Sequence, residues 1–250
     1  MDIVVCIKRV PATDTAIKIA ADGKSIDTAG VSFEMNAYDE FALEQALRIK
    51  EQLGAGSVTA ITIGPKESQK ELRDALARGA DKAVLLTTDT WVYDGASTAA
   101  ALAKWIEANP CQVVLCGKQA VDSDNNQLAA NLAARLGFAC VTEVAKLELK
   151  DGAFTAERDI EGAREGVAFK TPAVISCNKG LNEPRYANLK GIMAAKKKPL
   201  EEKAAELPAP AMEIVALELP PARAAGKIVG EGAAAVPALI DALRNEAKVL

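Results

Sequence analysis

The chain has 250 residues, is 50% hydrophobic and carries a formal net charge of −4. That is enough for a full core and too acidic for a general nucleic-acid binder, which needs a basic surface. It contains no histidine, which excludes Ser-His-Asp and Cys-His catalysis and histidine metal sites.

Residues 3–7 form a continuous apolar run, the mark of a strand buried on both faces. The run is too short for a signal peptide, and its charges follow it instead of preceding it. No window approaches a membrane span, so a soluble, cytoplasmic protein is expected. Residues 8–14 leave the sheet through Pro11, and residues 16–26 suggest a small hairpin around Asp22-Gly23. Asn36 can cap the next helix, with Asp39 and Glu40 in its first turn. The buried stripe of that helix is Ala42, Ala46, Ile49 and Leu53. A strand over 58–63, a helix over 67–78 ended by Gly79, a strand over 83–86, a helix over 96–109 and a strand over 112–116 follow. A polar loop, 117–125, leads into a helix over 126–136. This alternation predicts a largely parallel sheet with helices on both faces.

The rhythm then changes. Residues 141–149, 153–160 and 167–169 read as strands joined by Asp151-Gly152 and Glu161-Gly162 turns. They predict an antiparallel extension, closed by the buried run 172–177. Residues 181–199 hold two prolines, a glycine and three consecutive lysines around Leu189, Ile192 and Met193. That mixture fits a structured surface loop that docks another protein, with the lysines peripheral. Residues 201–221, rich in Pro, Ala and Glu, read as an extended arm, and 236–247 as a last helix. The expected organisation is an α/β domain over 1–200, including the 181–199 loop, and an arm over 201–250 that packs on a partner.

Chemistry has few places to sit. In an open parallel sheet, ligands bind outside the carboxyl ends of the strands, near the switch point. Residues 6–9, the 36–39 helix start and the loop 117–127 meet that rule. Backbone N–H groups at the helix start near Asn126 can take an anion, although no Walker or Rossmann fingerprint is present. A nucleotide site and a plain polar loop both remain open on these residues alone. Asp122 and Asp124 read as caps or solvated carboxylates before they read as a metal pair. Glu157, Asp159 and Glu161 around Arg158 read as an ion-paired strand face, not a glycosidase pair. The five cysteines, Cys6, Cys111, Cys116, Cys140 and Cys177, form no Cys-x-x-Cys and read as buried free thiols.

Taken together, these segments resemble the β subunit of electron transfer flavoprotein. The most specific stretch is Leu-Asn-Glu-Pro-Arg-Tyr-Ala at 181–187, continuing through Ile192, Met193 and Lys196, Lys197 and Lys198. Residues 5–10, Asn36 with Glu40, Gly117-Lys118-Gln119-Ala120 and Glu157-Arg158 support it. The resemblance implies a three-layer Rossmann-like fold of the adenine nucleotide α-hydrolase type. It implies a heterodimer whose α subunit holds most of the FAD, and an electron carrier in place of a self-contained enzyme. Donors would be acyl-CoA dehydrogenases of fatty acid β-oxidation or similar flavoproteins, and the acceptor a quinone oxidoreductase. A structural AMP is implied at Cys6, Asn36, Ala37, Tyr38, Asp39 and Ile63, and along Gly117, Lys118, Gln119, Ala120, Val121, Asp122, Ser123, Asp124, Asn125, Asn126, Gln127 and Leu128. Partner docking is implied at Tyr186, Leu189, Ile192 and Met193, with Leu189 as the anchor. Ala37, Ser123, Leu128-Ala129 and Lys190 depart from the usual pattern. The run 123–127 looks more like the AMP-holding branch than the electron-bifurcating branch, where a second FAD takes that place. A free-standing nucleotide-dependent enzyme on the same sheet is the alternative of another class.

Overall fold

The computed structural model describes residues 1–89, 94–222 and 225–250. Strand β1 (Asp2–Cys6) lies at the middle of the sheet, and its side chains alternate between two cores. Two short strands, β2 (Arg9–Pro11) and β3 (Phe33–Met35), pair antiparallel. They close an excursion over 12–32 in which the expected hairpin is reduced to one bridge, Ile19 to Ile26, around an Asp22 turn.

Helix α1 (Ala37–Leu53) buries Ala42, Leu43, Ala46, Leu47 and Ile49 and ends at Gly54 in a left-handed conformation. Leu53, expected in the buried stripe, is exposed in the last turn. Strand β4 (Ser57–Gly64), helix α2 (Gln69–Arg78), strand β5 (Lys82–Thr87), helix α3 (Gly95–Ala108) and strand β6 (Val113–Gly117) follow the predicted alternation. Helix α4 (Leu128–Leu136) starts two residues later than expected. Asn126 does not open it, because its backbone is left-handed (φ 48°), a conformation asparagine tolerates but a helix does not.

Strands β7 (Ala139–Lys150), β8 (Ala153–Ile160) and β9 (Ala163–Phe169) form the antiparallel extension. The next strand, β10 (Ala173–Cys177), does not close that extension from outside. It returns to the interior and pairs parallel with both β6 and β7. All five of its residues are buried, so it takes a place in the sheet with apolar cover on both faces.

Residues 189–195, read as loop, form a short helix α5 (Leu189–Ala195), started by the Asn188 side chain accepting from the Gly191 N–H at 2.8 Å. The first residues of the expected arm form an edge strand, β11 (Leu200–Ala204), parallel to β5. The nine-stranded order is β11-β5-β4-β1-β6-β10-β7-β8-β9. Near the C-terminus lies α6 (Val236–Asp241), followed by a π-helical turn over Ala242–Glu246.

Helices α1 and α2 cover one core, with Ile3, Val5, Leu43, Leu72, Leu76 and Leu115. Helices α3 and α4 cover the other, with Val4, Ile61, Val84, Leu102, Ile106 and Leu132. Each such side chain contributes about 1.5–3 kcal/mol by leaving water. With aromatics at 4%, aliphatic burial carries the fold. Four of the cysteines are buried and unpaired; Cys140 is the exception to the expected burial and is exposed.

Candidate functional site

The chain runs outward from β1 to β4 and β5, then crosses back through α3 to β6 on the other side of β1. The carboxyl ends of β1, β4 and β6 therefore part at a switch point. A cleft of about 750 Å³, counting its open mouth, lies there. That size suits a small-molecule ligand.

The first turn of α1 builds the floor. Asp39 is buried, accepting the Lys8 N–H at 2.7 Å and the Gly117 N–H at 2.9 Å, so one carboxylate ties the ends of β1 and β6 together. Gly117 is required: a Cβ there would overlap Asp39 Oδ1 and Tyr38. Burial pushes the Asp39 carboxyl up to about 7, against the N–H bonds and the Lys8 charge. Asn36 does not cap α1 with its side chain. Its amide bridges the loop instead, donating to the Gln119 carbonyl at 2.9 Å and accepting the Val121 N–H at 3.1 Å. An amide presents a donor and an acceptor on separate atoms, which an ionised carboxylate, an acceptor only, could not do.

Loop side chains are braced by ion pairs and amide bonds. Lys8 Nζ pairs with Asp122 at 2.7 Å, and Gln119 Nε2 donates to Asp124 at 2.8 Å. Lys118 Nζ pairs with Glu143 at 2.9 Å, a hydrogen bond that raises the lysine pKa. Asp94 starts α3 by accepting the Ala96 N–H at 2.8 Å. The N-terminal ends of α3 (Gly95) and α4 (Leu128) both border the cleft, which is where helix geometry leaves N–H groups unpaired. Among the described residues, no group of acidic or cysteine side chains could hold a metal ion.

Of the residues singled out from sequence, Cys6, Asp39, Ile63, Gly117, Lys118 and Gln119 line the cleft, as do Ala120, Ser123, Asn125, Gln127 and Leu128. Burial pushes the Cys6 thiol well up, so it presents a neutral wall. Asn36, Ala37, Tyr38, Val121, Asp122, Asp124 and Asn126 do not line it. Val121 and Asp122 face a neighbouring groove with Pro11 and Ile26, and Ala37 and Tyr38 face one beside Tyr186. Sequence reasoning missed Ile61, Thr62, Gly95, Thr98 and Leu102 as lining residues and did not commit to Ile7 and Lys8. The last two continue the strand end that carries Cys6. Gly95, Thr98 and Leu102 recur at helical spacing on one face of α3, a signal legible only once α3 is known to flank the loop.

The second candidate surface is the loop 181–199. Tyr186 is 88% exposed and Leu189 83%; Ile192 and Met193 are exposed beside them. Three of its polar groups point inward, while Glu183, Lys190, Lys196 and Lys197 are exposed. Arg185 bonds Glu44 at 2.7 Å and also pairs with Glu51. Asn182 Nδ2 donates to the Phe41 carbonyl at 3.0 Å. Lys198 was expected at the periphery. It is half-buried, donating to the Leu76 and Ala80 carbonyls at the C-terminal end of α2, where a cation meets the helix dipole. Gly191 lets α5 approach α2 closely: a Cβ would overlap the Ala77 carbonyl.

On β8 and β9 the alternating charges pair across strands, Arg158 with Glu165 at 2.9 Å and Arg164 with Asp159 at 2.9 Å. No helix among the described residues is long and apolar enough to cross a membrane.

Comparison with known proteins matches residues 24–208 to the electron transfer flavoprotein domain. The chain is similar over its full length to electron transfer flavoprotein subunit beta of Bacillus subtilis (strain 168), 39% identical with all of both chains covered. It is 37% identical to the subunit beta of Dictyostelium discoideum, covering 100% of this chain and 99% of that one. The mitochondrial subunit beta of Oryza sativa subsp. indica is 39% identical, with both chains fully covered. A Rossmann-like sheet, a cleft at its switch point and full-length similarity of this order agree: the chain belongs to the electron transfer flavoprotein family, among its beta subunits, and its role is in electron transfer.

Proposed function

We propose that the cleft holds one AMP as a structural nucleotide, and that the chain works as an electron carrier with an α subunit, whose FAD it helps to enclose. The observation that carries this reading is the make-up of the cleft. Ile7, Ile61, Ile63, Leu102 and Leu128 give apolar walls for a purine, while the start of α4 gives N–H groups for a phosphate beside the ion-paired Lys8 and Lys118. Gln119, Ser123, Asn125 and Gln127 add side-chain donors along the loop. Nothing in this donor set resembles an acid–base or nucleophilic pair, which suits a nucleotide that is held and not turned over. FAD, when bound, supplies the redox chemistry; the chain's own part is to bind, to shield and to dock.

Docking falls to Tyr186, Leu189, Ile192 and Met193, with acyl-CoA dehydrogenase-type flavoproteins as donors and a quinone oxidoreductase or another acceptor downstream. Beyond β11, which stays in the sheet, residues 205–250 act as an arm on the α subunit. Exposed Met212, Val215, Leu219 and Ile228 support this, since such a row of apolar side chains calls for cover. The setting proposed is the cytoplasm.

The test is to co-purify the chain with its α partner, release all bound nucleotides and identify them. One AMP and one FAD per heterodimer is the expected result. Two flavins and no AMP would replace the reading with a bifurcating subunit. No nucleotide beyond the α subunit's flavin would overturn it, and ATP turnover by the isolated chain would point to a free-standing enzyme.

A further inference from the structure

Glu143 has a left-handed backbone, φ 58°, in the middle of β7. For a non-glycine residue in a strand this is a strained conformation, and it needs a reason. The register between β7 and β10 slips at this point: Val141 faces Ile175, and Val144 faces Cys177. The extra residue is a bulge, pinned by the Glu143 N–H donating to the Ser176 hydroxyl at 2.9 Å. Ser176 is fully buried in the central strand β10, so the bulge rests on a rigid part of the sheet.

The bulge re-aims the Glu143 side chain toward the cleft loop. One carboxylate oxygen pairs with Lys118 Nζ at 2.9 Å, and the other accepts from Asn126 Nδ2 at 3.1 Å. Lys118 and Asn126 lie near the two ends of the loop between β6 and α4. Asn126 is itself left-handed. Both partners of this hydrogen bond are therefore left-handed, strained at the glutamate and tolerated at the asparagine, and regular strand or helix geometry has given way in both segments. A mere surface ion pair would not require this, because exposed pairs contribute little.

We propose that Glu143 is a positioning residue, a clasp on β7 that holds both ends of the loop 118–127 closed over the cleft and so slows release of the nucleotide. The assignment rests on the reading of the cleft as an AMP site. No atom of Glu143 lines the cleft, so it acts through Lys118 and Asn126.

The experiment uses the complex with its partner chain and AMP as the probe. AMP release after dilution, hydrogen exchange of the loop amides and the thermal midpoint are measured for wild type, Glu143→Gly and Glu143→Gln. Glu143→Gly removes the carboxylate but suits the left-handed backbone. It is expected to speed AMP release about tenfold, the scale of losing charge-assisted bonds. Protection of amides 120–127 should fall while the midpoint holds or rises. Glu143→Gln keeps the shape without the charge and is expected to speed release about threefold. Unchanged release and exchange in Glu143→Gly would overturn the clasp. So would faster release with an equally lowered midpoint, which is what a purely structural residue gives. If wild-type complex holds no AMP, the reading of the cleft fails by itself, and the exchange of the loop amides still decides the clasp.

Discussion

The cleft and the 181–199 loop solve opposite problems with the same kinds of residue. In the cleft, apolar side chains form the walls and polar groups are spent on bracing the backbone that surrounds an open space. In the loop, Arg185, Asn182 and Lys198 turn inward, while Tyr186, Leu189 and Met193 face water. The loop is an inverted surface element, held by the bonds of Arg185, the Asn182 Nδ2 and Lys198, although the buried Asn182 Oδ1 has no partner. The lesson is that exposed apolar residues here are not a packing failure. They are held out by a polar anchor set.

The largest expected effect tests the cleft side of this contrast. The Asp39 carboxyl is raised from 3.8 to about 7 by burial. The unfolded chain releases that proton first, so between those values the folded state binds more protons, and stability is lost as pH rises from 4 to 7. Unfolding in urea across this range should show wild type losing on the order of 4 kcal/mol relative to Asp39→Asn. Parallel pH curves would remove Asp39 as a buried titrating brace.

Breaking the loop's anchor should cost less. Glu44 is buried, and burial alone would raise its carboxyl; the Arg185 and Arg48 bonds outweigh that and hold it below its ordinary value. Arg185→Ala leaves Arg48 as a partner, so about 2 kcal/mol of stability should be lost, between the values for exposed and buried pairs. A change below the error of a urea titration would show that the anchor is not energetic. The smallest expected stability effect is at the tip. Leu189→Ala should change stability by less than about 0.5 kcal/mol while slowing electron delivery from a dehydrogenase donor in stopped-flow traces. Full transfer rates in that variant would end the proposed role of Leu189.

What could be read from sequence follows from where burial is continuous. Strands β1, β4, β5 and β6 announce themselves as apolar runs, and the alternation with helices then locates the cleft. The run 173–177 announces burial equally well, but burial does not say which strands flank it, so its insertion between β6 and β7 is not legible. Strand β11 escapes notice because an edge strand with Glu201, Glu202 and Lys203 has only one covered side. Helix α5 is too short, with Gly191 inside it, to show a period. Asn36 and Asn126 carry typical cap chemistry but spend it on tertiary bonds, a choice that depends on neighbours more than 15 residues away.

The position of β10 also bears on how the chain is assembled. Strands β6 and β7 are separated by one helix in sequence, yet they are never neighbours; the space between them waits for residues 173–177. Until those residues have left the ribosome, the growing sheet is two blocks, each with an open apolar edge. Such edges pair readily with other chains. The two halves can lock only after the whole β7–β9 excursion has been made, so the last parallel strand of the centre acts as a keystone, and a chain ended before it would leave the edges of β6 and β7 unpaired.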